Sequence, residues 1–403
     1  MNGMGARVIY RADLEGRRIA GSEFILTMHQ GPGSAVLETL WPNGEPCGFI
    51  STPFQSVAFL KAFYSHLPDN CTSLIISVED KASGRLAMVL PLILRRTQAL
   101  SYIEPADLGL ADYAAPIVAD WFRPANKEMT AIWSKLRHAL PQADILLLKK
   151  LPAWLEGGRP NPLVLLPNTI DMATVTKTAS LSGDEFPSHY RRSGIYKDGM
   201  KKLRRLKTQG SVEFRLAHSE DEALTLFDHL VEQRLTRFRS LERPDPLNTL
   251  AIREFYREFV GKGVVAGQLL FGGLYIDGEC IATDLGILNG KTLHRIINSM
   301  NNDTWSRHSP GTIVFMLMLD EARSQGVRYC DIGVGEHAYK DRLTGTEMPL
   351  YERHEVLTLR GGLALANARA RRYARLALAR FPQLRPQAEA LRKRLWRWGV
   401  LSH

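Results

Sequence analysis

Residues 272–288 read GGLYIDGECIATDLGIL, residues 291–303 KTLHRIINSMNND, residues 305–326 WSRHSPGTIVFMLMLDEARSQG and residues 327–340 VRYCDIGVGEHAYK. This order predicts strand, strand, tight turn, apolar helix, strand and polar loop. Ser309-Pro310-Gly311-Thr312 opens the helix. Proline is pre-set for a first helical turn, and glycine lets another group come close to the backbone. The N–H groups of a helix start point outward and its dipole favours anions, so the turn suits a phosphate, with Arg307 just upstream.

The bulk composition sets limits around that stretch. A chain of 403 residues is too long for one ordinary core, and two domains with an appendage are expected. Apolar residues make up 45% and charged residues 23%, enough to bury sizeable cores. Cys47, Cys71, Cys280 and Cys330 are scattered, with no C-x-x-C pair, which argues against a disulfide framework or a zinc knuckle. The first residues show no apolar core of signal-peptide length, and runs such as Thr312–Leu319 are too short to span a bilayer. A cytoplasmic location is expected. The net charge of +10 is concentrated in two segments. Residues 190–207 hold eight Lys/Arg against one Asp, and residues 369–397 ten against one Glu. The rest of the chain is therefore acidic, and a local anionic partner is indicated.

Working outward, residues 1–35 read as an irregular N-terminal extension. Thr52-Pro53 fits the N-cap and first turn of a helix over SVAFLKAFYSHL. LIISVED and RLAMVLPLIL flank a Lys81–Gly84 turn as a hairpin. NKEMTAIWSKLRHAL reads as a helix and ADILLLKKL as a buried strand. Prolines and glycines at 152–167 place a boundary near 165–180. After it, SVEFRLA is a strand, Ser219-x-x-Glu222 a capping box, and TLAIREFYREFVGKG a helix stopped by Gly261 and Gly263. Both halves run helix, hairpin, helix, strand. The expected domains are 36–175, 176–360 and a helical tail over 361–403.

The ordered pieces resemble the acyl-CoA-dependent N-acyltransferases of the GNAT superfamily. They are Leu274–Gly278 with Ile281-Ala282, Ser309-Pro310-Gly311, Asp331–Glu336, and Tyr339-Lys340, with the basic helix at 197–207, Pro53-Phe54-Gln55 and Asp112-Tyr113. The superfamily turn is Arg/Gln-x-x-Gly-x-Gly/Ala. Here Arg307–Thr312 departs by one residue and lacks the second Gly. The form looks like the CelD/BcsL type, similar in architecture to the FemABX transferases. The resemblance spans roughly residues 45–355. It implies an α/β fold with a mixed sheet: two tandem GNAT-like domains, the second holding acetyl-CoA or another acyl-CoA, with an acceptor between them and no metal. It implies Arg307, Ser309, Pro310, Gly311 and Thr312 at the coenzyme and Asp284 at the acyl slot. Asp331 and Glu336 are the expected carboxylates for orienting and for taking the amine proton. Tyr339 is expected to protonate the thiolate and Lys340 to bind an anion of the acceptor. His294 and His337 are further candidate bases, with His337 at the acceptor. Asp112 and Tyr113 are expected to reach the acceptor from the first domain. The implied activity is N-acetylation of an amino sugar or sugar precursor in envelope or exopolysaccharide synthesis.

Lys201 and Arg204, on the basic helix, are expected to clamp a phosphorylated or lipid-linked acceptor. In the tail, Ala366, Ala370, Tyr373, Ala377 and Phe381 share one helical face, and Leu391, Leu395 and Trp398 form a second apolar stripe among arginines. Residues 363–398 are therefore expected to touch an anionic membrane, at its inner face. Arg371-x-x-x-Arg375 is a bare spacing also found in cyclic-dinucleotide binders. No stacking surface or nucleic-acid module is evident. H-E-x-x-H, G-x-S-x-G and Walker A motifs are absent, and the histidines show no metal-ligand spacing. Two rivals remain: a FemABX-like transfer from aminoacyl-tRNA to a peptidoglycan precursor, without that group's coiled-coil insert, and a degenerate GNAT scaffold.

Overall fold

A computed structural model describes residues 17–20, 23–42, 44, 47–181, 193–301, 304–335, 345–367 and 370. The chain opens with β1 (Arg17–Ala20) and β2 (Phe24–Gln30), then α1 (Gly33–Leu40) and the short β3 (Phe49–Ile50). Residues 24–30 are thus a paired strand rather than an irregular lead-in, held on the next strand from Phe24↔Asp80 to Gln30↔Leu74. A 3-10 turn at Pro53–Gln55 leads into α2 (Val57–Ser65). The cap of α2 is Ser56, whose hydroxyl accepts from the Phe59 N–H; Thr52 precedes only the 3-10 turn, and its hydroxyl donates to Gln55 Oε1 at 2.6 Å rather than capping a backbone N–H.

Next come β4 (Cys71–Asp80), β5 (Leu86–Arg96), β6 (Ser101–Pro105), β7 (Ile117–Ala119), α3 (Asn126–Ala139) and β8 (Ile145–Pro152). A small hairpin, β9 (Trp154–Leu155) and β10 (Arg159–Pro160), precedes β11 (Ile170–Ser180). The second half holds α4 (Gly194–Lys207), β12 (Val212–Leu216), α5 (Glu220–Ser240), α6 (Leu250–Val265), β13 (Leu269–Ile276), β14 (Glu279–Asn289) and β15 (Thr292–Met300). It continues through α7 (Pro310–Ser324), β16 (Tyr329–Val334) and β17 (Gly345–Val356). Residues 359–367 are helical.

The two halves repeat one unit. Strand, two helices, three antiparallel strands, helix and a parallel fifth strand occur as β2-α1-α2-β4-β5-β6-α3-β8. They occur again as β12-α5-α6-β13-β14-β15-α7-β16. The halves join in one sheet of order β1-β2-β4-β5-β6-β8-β17-β11-β16-β15-β14-β13-β12. Apart from β1, that order reads alike from both ends, with a pseudo-two-fold between β17 and β11. Each half gives its sixth strand to the other. β11 follows β8 in the chain but pairs with β16, and β17 follows β16 but pairs with β8. The expected boundary at 175/176 falls inside β11.

On one face of the sheet, α1 and α2 meet α5 and α6. Phe59 sits 5.1 Å from Phe255 and 5.3 Å from Phe259 between ring centroids, and all three are buried. Each such ring contributes about 1.5–3 kcal/mol by leaving water. Gly261 and Gly263 do not stop α6; it runs on to Val265, and the left-handed residue is Gly267 (φ +67°). A Cβ on Gly263 would stand 2.7 Å from Leu269, so the glycine is there to let the helix lie on β13. On the opposite face, α4 packs on α7, with Gly199 against Met316.

Candidate active site at the splayed strands

The parallel pair β15 and β16 meets at only three positions: Thr292↔Tyr329, Leu293↔Cys330 and His294↔Asp331. Beyond them the strands part, and β16 stays on β11. β15 stays on β14 through a register shift. Leu285 faces Ile297 and Gly286 faces Arg295, so Ile296 is the residue left over. Such a bulge bends its strand and takes a backbone group out of the ladder. The result is a V-shaped opening through the sheet, with His294 and Asp331 at its apex.

Asp331 is 3% exposed and collects three donors. Its Oδ2 accepts from the Tyr113 hydroxyl and lies 3.1 Å from His294 Nδ1; its Oδ1 accepts from the Gly333 N–H at 2.8 Å. Burial pushes the carboxyl up, but His294, Tyr113 and the Gly333 N–H together outweigh it and hold it below the usual carboxylate range. Tyr113 Oη is 2.8 Å from Thr176 Oγ1 on the exchanged strand β11, and burial beside Asp331 drives the phenol well above its ordinary value. The loop carrying Tyr113 comes from the first half, and Gly333 admits it. At φ +75°, a Cβ there would lie 2.2 Å from Asp112 Oδ2. Asp112 and Tyr113 therefore reach the centre of the second half, at Asp331 itself.

The turn at Arg307–Thr312 lies on the opposite face. Ser309 is left-handed (φ 51°, ψ 57°) and its side chain does not cap α7, whose first turn has no acidic residue. Arg307 donates to His308, which burial first and then Arg307 and Arg205 hold below the ordinary histidine range. Arg205 belongs to α4, and Lys201 and Arg204 are exposed on the same helix. Those cations thus stand on the α7 face, away from the face where the two halves meet. Gly311 has a close neighbour from β15. A Cβ there would lie 2.9 Å from Asn298 Oδ1, so the glycine lets the helix start lie against β15. Asp284, expected at an acyl slot, is 1% exposed, and its Oδ1 accepts from Arg295 Nε at 2.8 Å. Arg295 in turn lies 4.1 Å from the Phe315 ring centroid. Burial still raises the Asp284 carboxyl, against the pull of Arg295.

Structure and sequence meet unevenly here. Asp331, Asp112, Tyr113 and His294 come together; Arg307, Ser309, Pro310, Gly311 and Thr312 form the turn; Glu336, His337, Tyr339 and Lys340 lie outside the described residues. Thr176, Arg295 and Asn298 were not anticipated. Only the alternation of β15, broken at Ile296, could have signalled the last two. The first half lacks these features. β6 and β8 meet at Tyr102↔Ile145 and Ile103↔Leu146, without an Asp–His pair. The start of α3 is closed on itself by Glu128, whose Oε2 accepts from the Ala125 N–H at 3.2 Å.

Residues 196–341 match the family model described as the acetyltransferase (GNAT) domain. Among solved structures, the chain is similar to FemX (10% identity, TM-score 0.48, 79% of this chain and 94% of that one). It is also similar to a tandem GNAT protein from the clavulanic acid biosynthesis pathway (12%, 0.44, 82% and 98%). A third is L-PGS from Bacillus licheniformis (8%, 0.45, 80% and 91%). All three are too distant to carry a substrate across. No curated protein matches the sequence. The fold is mixed α/β in two repeats of one unit, of which residues 196–341 are similar to the acetyltransferase (GNAT) domain.

Proposed function

We propose that the protein is an acyl-CoA-dependent N-acyltransferase whose reaction takes place in the opening between β15 and β16. The observation that carries this is the Asp331–His294 pair at the apex, where the opening links the α7 face to the face between the halves. An uncapped helix start without acidic residues fits a pyrophosphate, which the first-turn N–H groups of α7 would hold. Arg307, Lys201 and Arg204 add positive charge on that face. The thioester supplies the activated acyl group. The backbone at Ile296, out of register with β14, is suited to donate to the thioester oxygen, as preorganised N–H groups do elsewhere.

The acceptor amine comes from the other face. Asp331, ionised, takes the Nδ1–H of His294, which leaves the Nε2 lone pair to remove the amine proton. The amine nitrogen bonds the acyl carbon, the C–S bond breaks, and the thiolate takes a proton. Tyr339 is our candidate donor for that proton, with Glu336, His337 and Lys340 beside it in sequence. Asp284, neutralised by Arg295, sets the α7-side wall.

The finer reading takes acetyl-CoA as the donor and an amino sugar of bacterial envelope or exopolysaccharide synthesis as the acceptor, in the CelD/BcsL manner. It is supported by the ordered motifs at 274–282, 309–311 and 331–340. Peripheral membrane contact through 363–398 belongs to this reading. Among the described residues no helix is long and apolar enough to cross a membrane.

Thr312 sits where α3 has Glu128, three residues past the cap. Thr312→Glu should close the α7 start with its own carboxylate, leaving the melting temperature unchanged or higher. Acetyl-CoA affinity should fall at least tenfold by calorimetry. No heat from wild type at millimolar acetyl-CoA sinks the acyl-CoA reading and favours an aminoacyl-tRNA donor. Unchanged affinity in the variant sinks the placement.

A further inference from the structure

A cleft of about 270 Å³ opens on the face where the two halves meet. Its walls are the 49–56 loop of the first half, Phe259 of α6, Gln268, and the end of β14 through Asn289, with Glu156 closing one side. Two contacts tie it to the apex. Ile287 lines the cleft and is the cross-strand partner of His294, so the two side chains share a face of the sheet. Gln55 also lines it, is 5% exposed, and donates from Nε2 to the Tyr113 carbonyl at 3.2 Å.

The lining has a definite chemistry. The amides of Gln268 and Asn289 supply donors and acceptors, Asn289 also donating to Glu156 at 3.5 Å, whereas Ser51, Thr52 and Gln55 already donate to the Pro116 carbonyl, Gln55 Oε1 and the Tyr113 carbonyl, and Ser56 Oγ accepts from the Phe59 N–H. Phe49 and Phe259 supply aromatic surface. Among the described residues, Glu156 is the one charged side chain in the lining, with no Lys or Arg. A phosphate would meet a carboxylate and no cation. A polyhydroxylated ring would find amides for its hydroxyls, and an amine would meet no positive charge. The pseudo-symmetric cleft in the first half shows that this lining is not imposed by the fold. It is about 800 Å³, is covered by the 244–249 loop in place of the 51–56 loop, and carries three cations, Arg95, Lys149 and Lys150, alongside Glu104, Asp107 and Asp245.

We infer that the smaller cleft is the acceptor site and that it takes an amino-sugar residue carrying no phosphate at its bound end. This rests on the acyl-transfer reading for the direction of the amine, toward His294. It departs from a phosphorylated acceptor clamped by Lys201 and Arg204, since those cations lie on the other face of the sheet.

Saturation-transfer NMR without coenzyme tests it, using the β-1,4-linked glucosamine dimer, UDP-glucosamine and glucosamine 6-phosphate. The dimer should receive transfer, and the two phosphate-bearing sugars at least tenfold less at equal concentration. Glu156→Lys, at an exposed position, should reverse that order, and Gln268→Leu should abolish transfer to the dimer. No transfer to the dimer, stronger transfer to a phosphate-bearing sugar in wild type, or no effect of either substitution overturns the inference. Acetyl-CoA calorimetry on the same sample separates the two readings. Dimer binding without coenzyme heat leaves the cleft and removes acyl-CoA, whereas coenzyme heat without dimer binding does the reverse.

Discussion

His294 is the residue on which the proposed chemistry turns. Glutamine can still bond Asp331 but cannot take a proton at Nε2. His294→Gln should lower kcat by about 10²–10³ while leaving acetyl-CoA affinity within twofold, measured by steady-state rates and calorimetry. A kcat within threefold of wild type removes the histidine from the reaction. Asp107 gives a residue-scale test of stability. It is 8% exposed, and burial pushes its carboxyl up to about 6 despite Lys150. A carboxyl raised on folding favours the folded state while protonated, so its contribution is present below about pH 4 and lost as pH rises through about 6. Asp107→Asn should flatten that decline and leave the protein more stable at pH 7 by about 2–3 kcal/mol, read from urea midpoints between pH 4 and 7. An unchanged pH slope rules out Asp107 as its source. Legibility at this scale followed range in the chain. Ser309–Thr312 could be found because a helix start is local. The meeting of Tyr113 with Asp331, 218 residues apart, depends on a loop crossing between halves, which no local pattern encodes.

Among the elements, the hairpin β4–β5, helices α3 and α5, and the strand–strand–turn–helix–strand order of 269–334 follow their sequence patterns. Where reading failed, a contact had overruled a propensity. Gly261 and Gly263 look like a helix stop, yet both are inside α6, where a Cβ on Gly263 would run into Leu269. Thr52-Pro53 looks like the start of α2, but it opens a 3-10 turn, and Ser56 takes the cap once the chain has turned. β2 was missed although Gly21-Ser22 and Gly31-Pro32-Gly33 flank it, because its pairing with β4, about fifty residues on, is not a local pattern.

At the scale of the whole molecule, the repeat was legible as helix, hairpin, helix, strand in each half. The exchange of β11 and β17 was not, because a strand's own residues do not name its partner. That exchange makes each half incomplete alone. A protease site engineered between residues 181 and 193 and then cleaved should give two pieces that still elute together on size exclusion and separate only in denaturant. Separation under native conditions contradicts the exchanged pairing. The larger piece expressed alone lacks β11 and should be recovered soluble only when the smaller is co-expressed.

The exchange also sets a schedule for synthesis. β8 is complete at Pro152, but the strand that covers its edge begins at Gly345, roughly 190 residues later. At about 5–20 residues per second, that edge waits on the order of 10–40 s on the ribosome. During that interval a nascent chain presents a bare strand edge to its neighbours on the same message. Slowing translation between these two strands should therefore lower soluble yield, and speeding it should raise it.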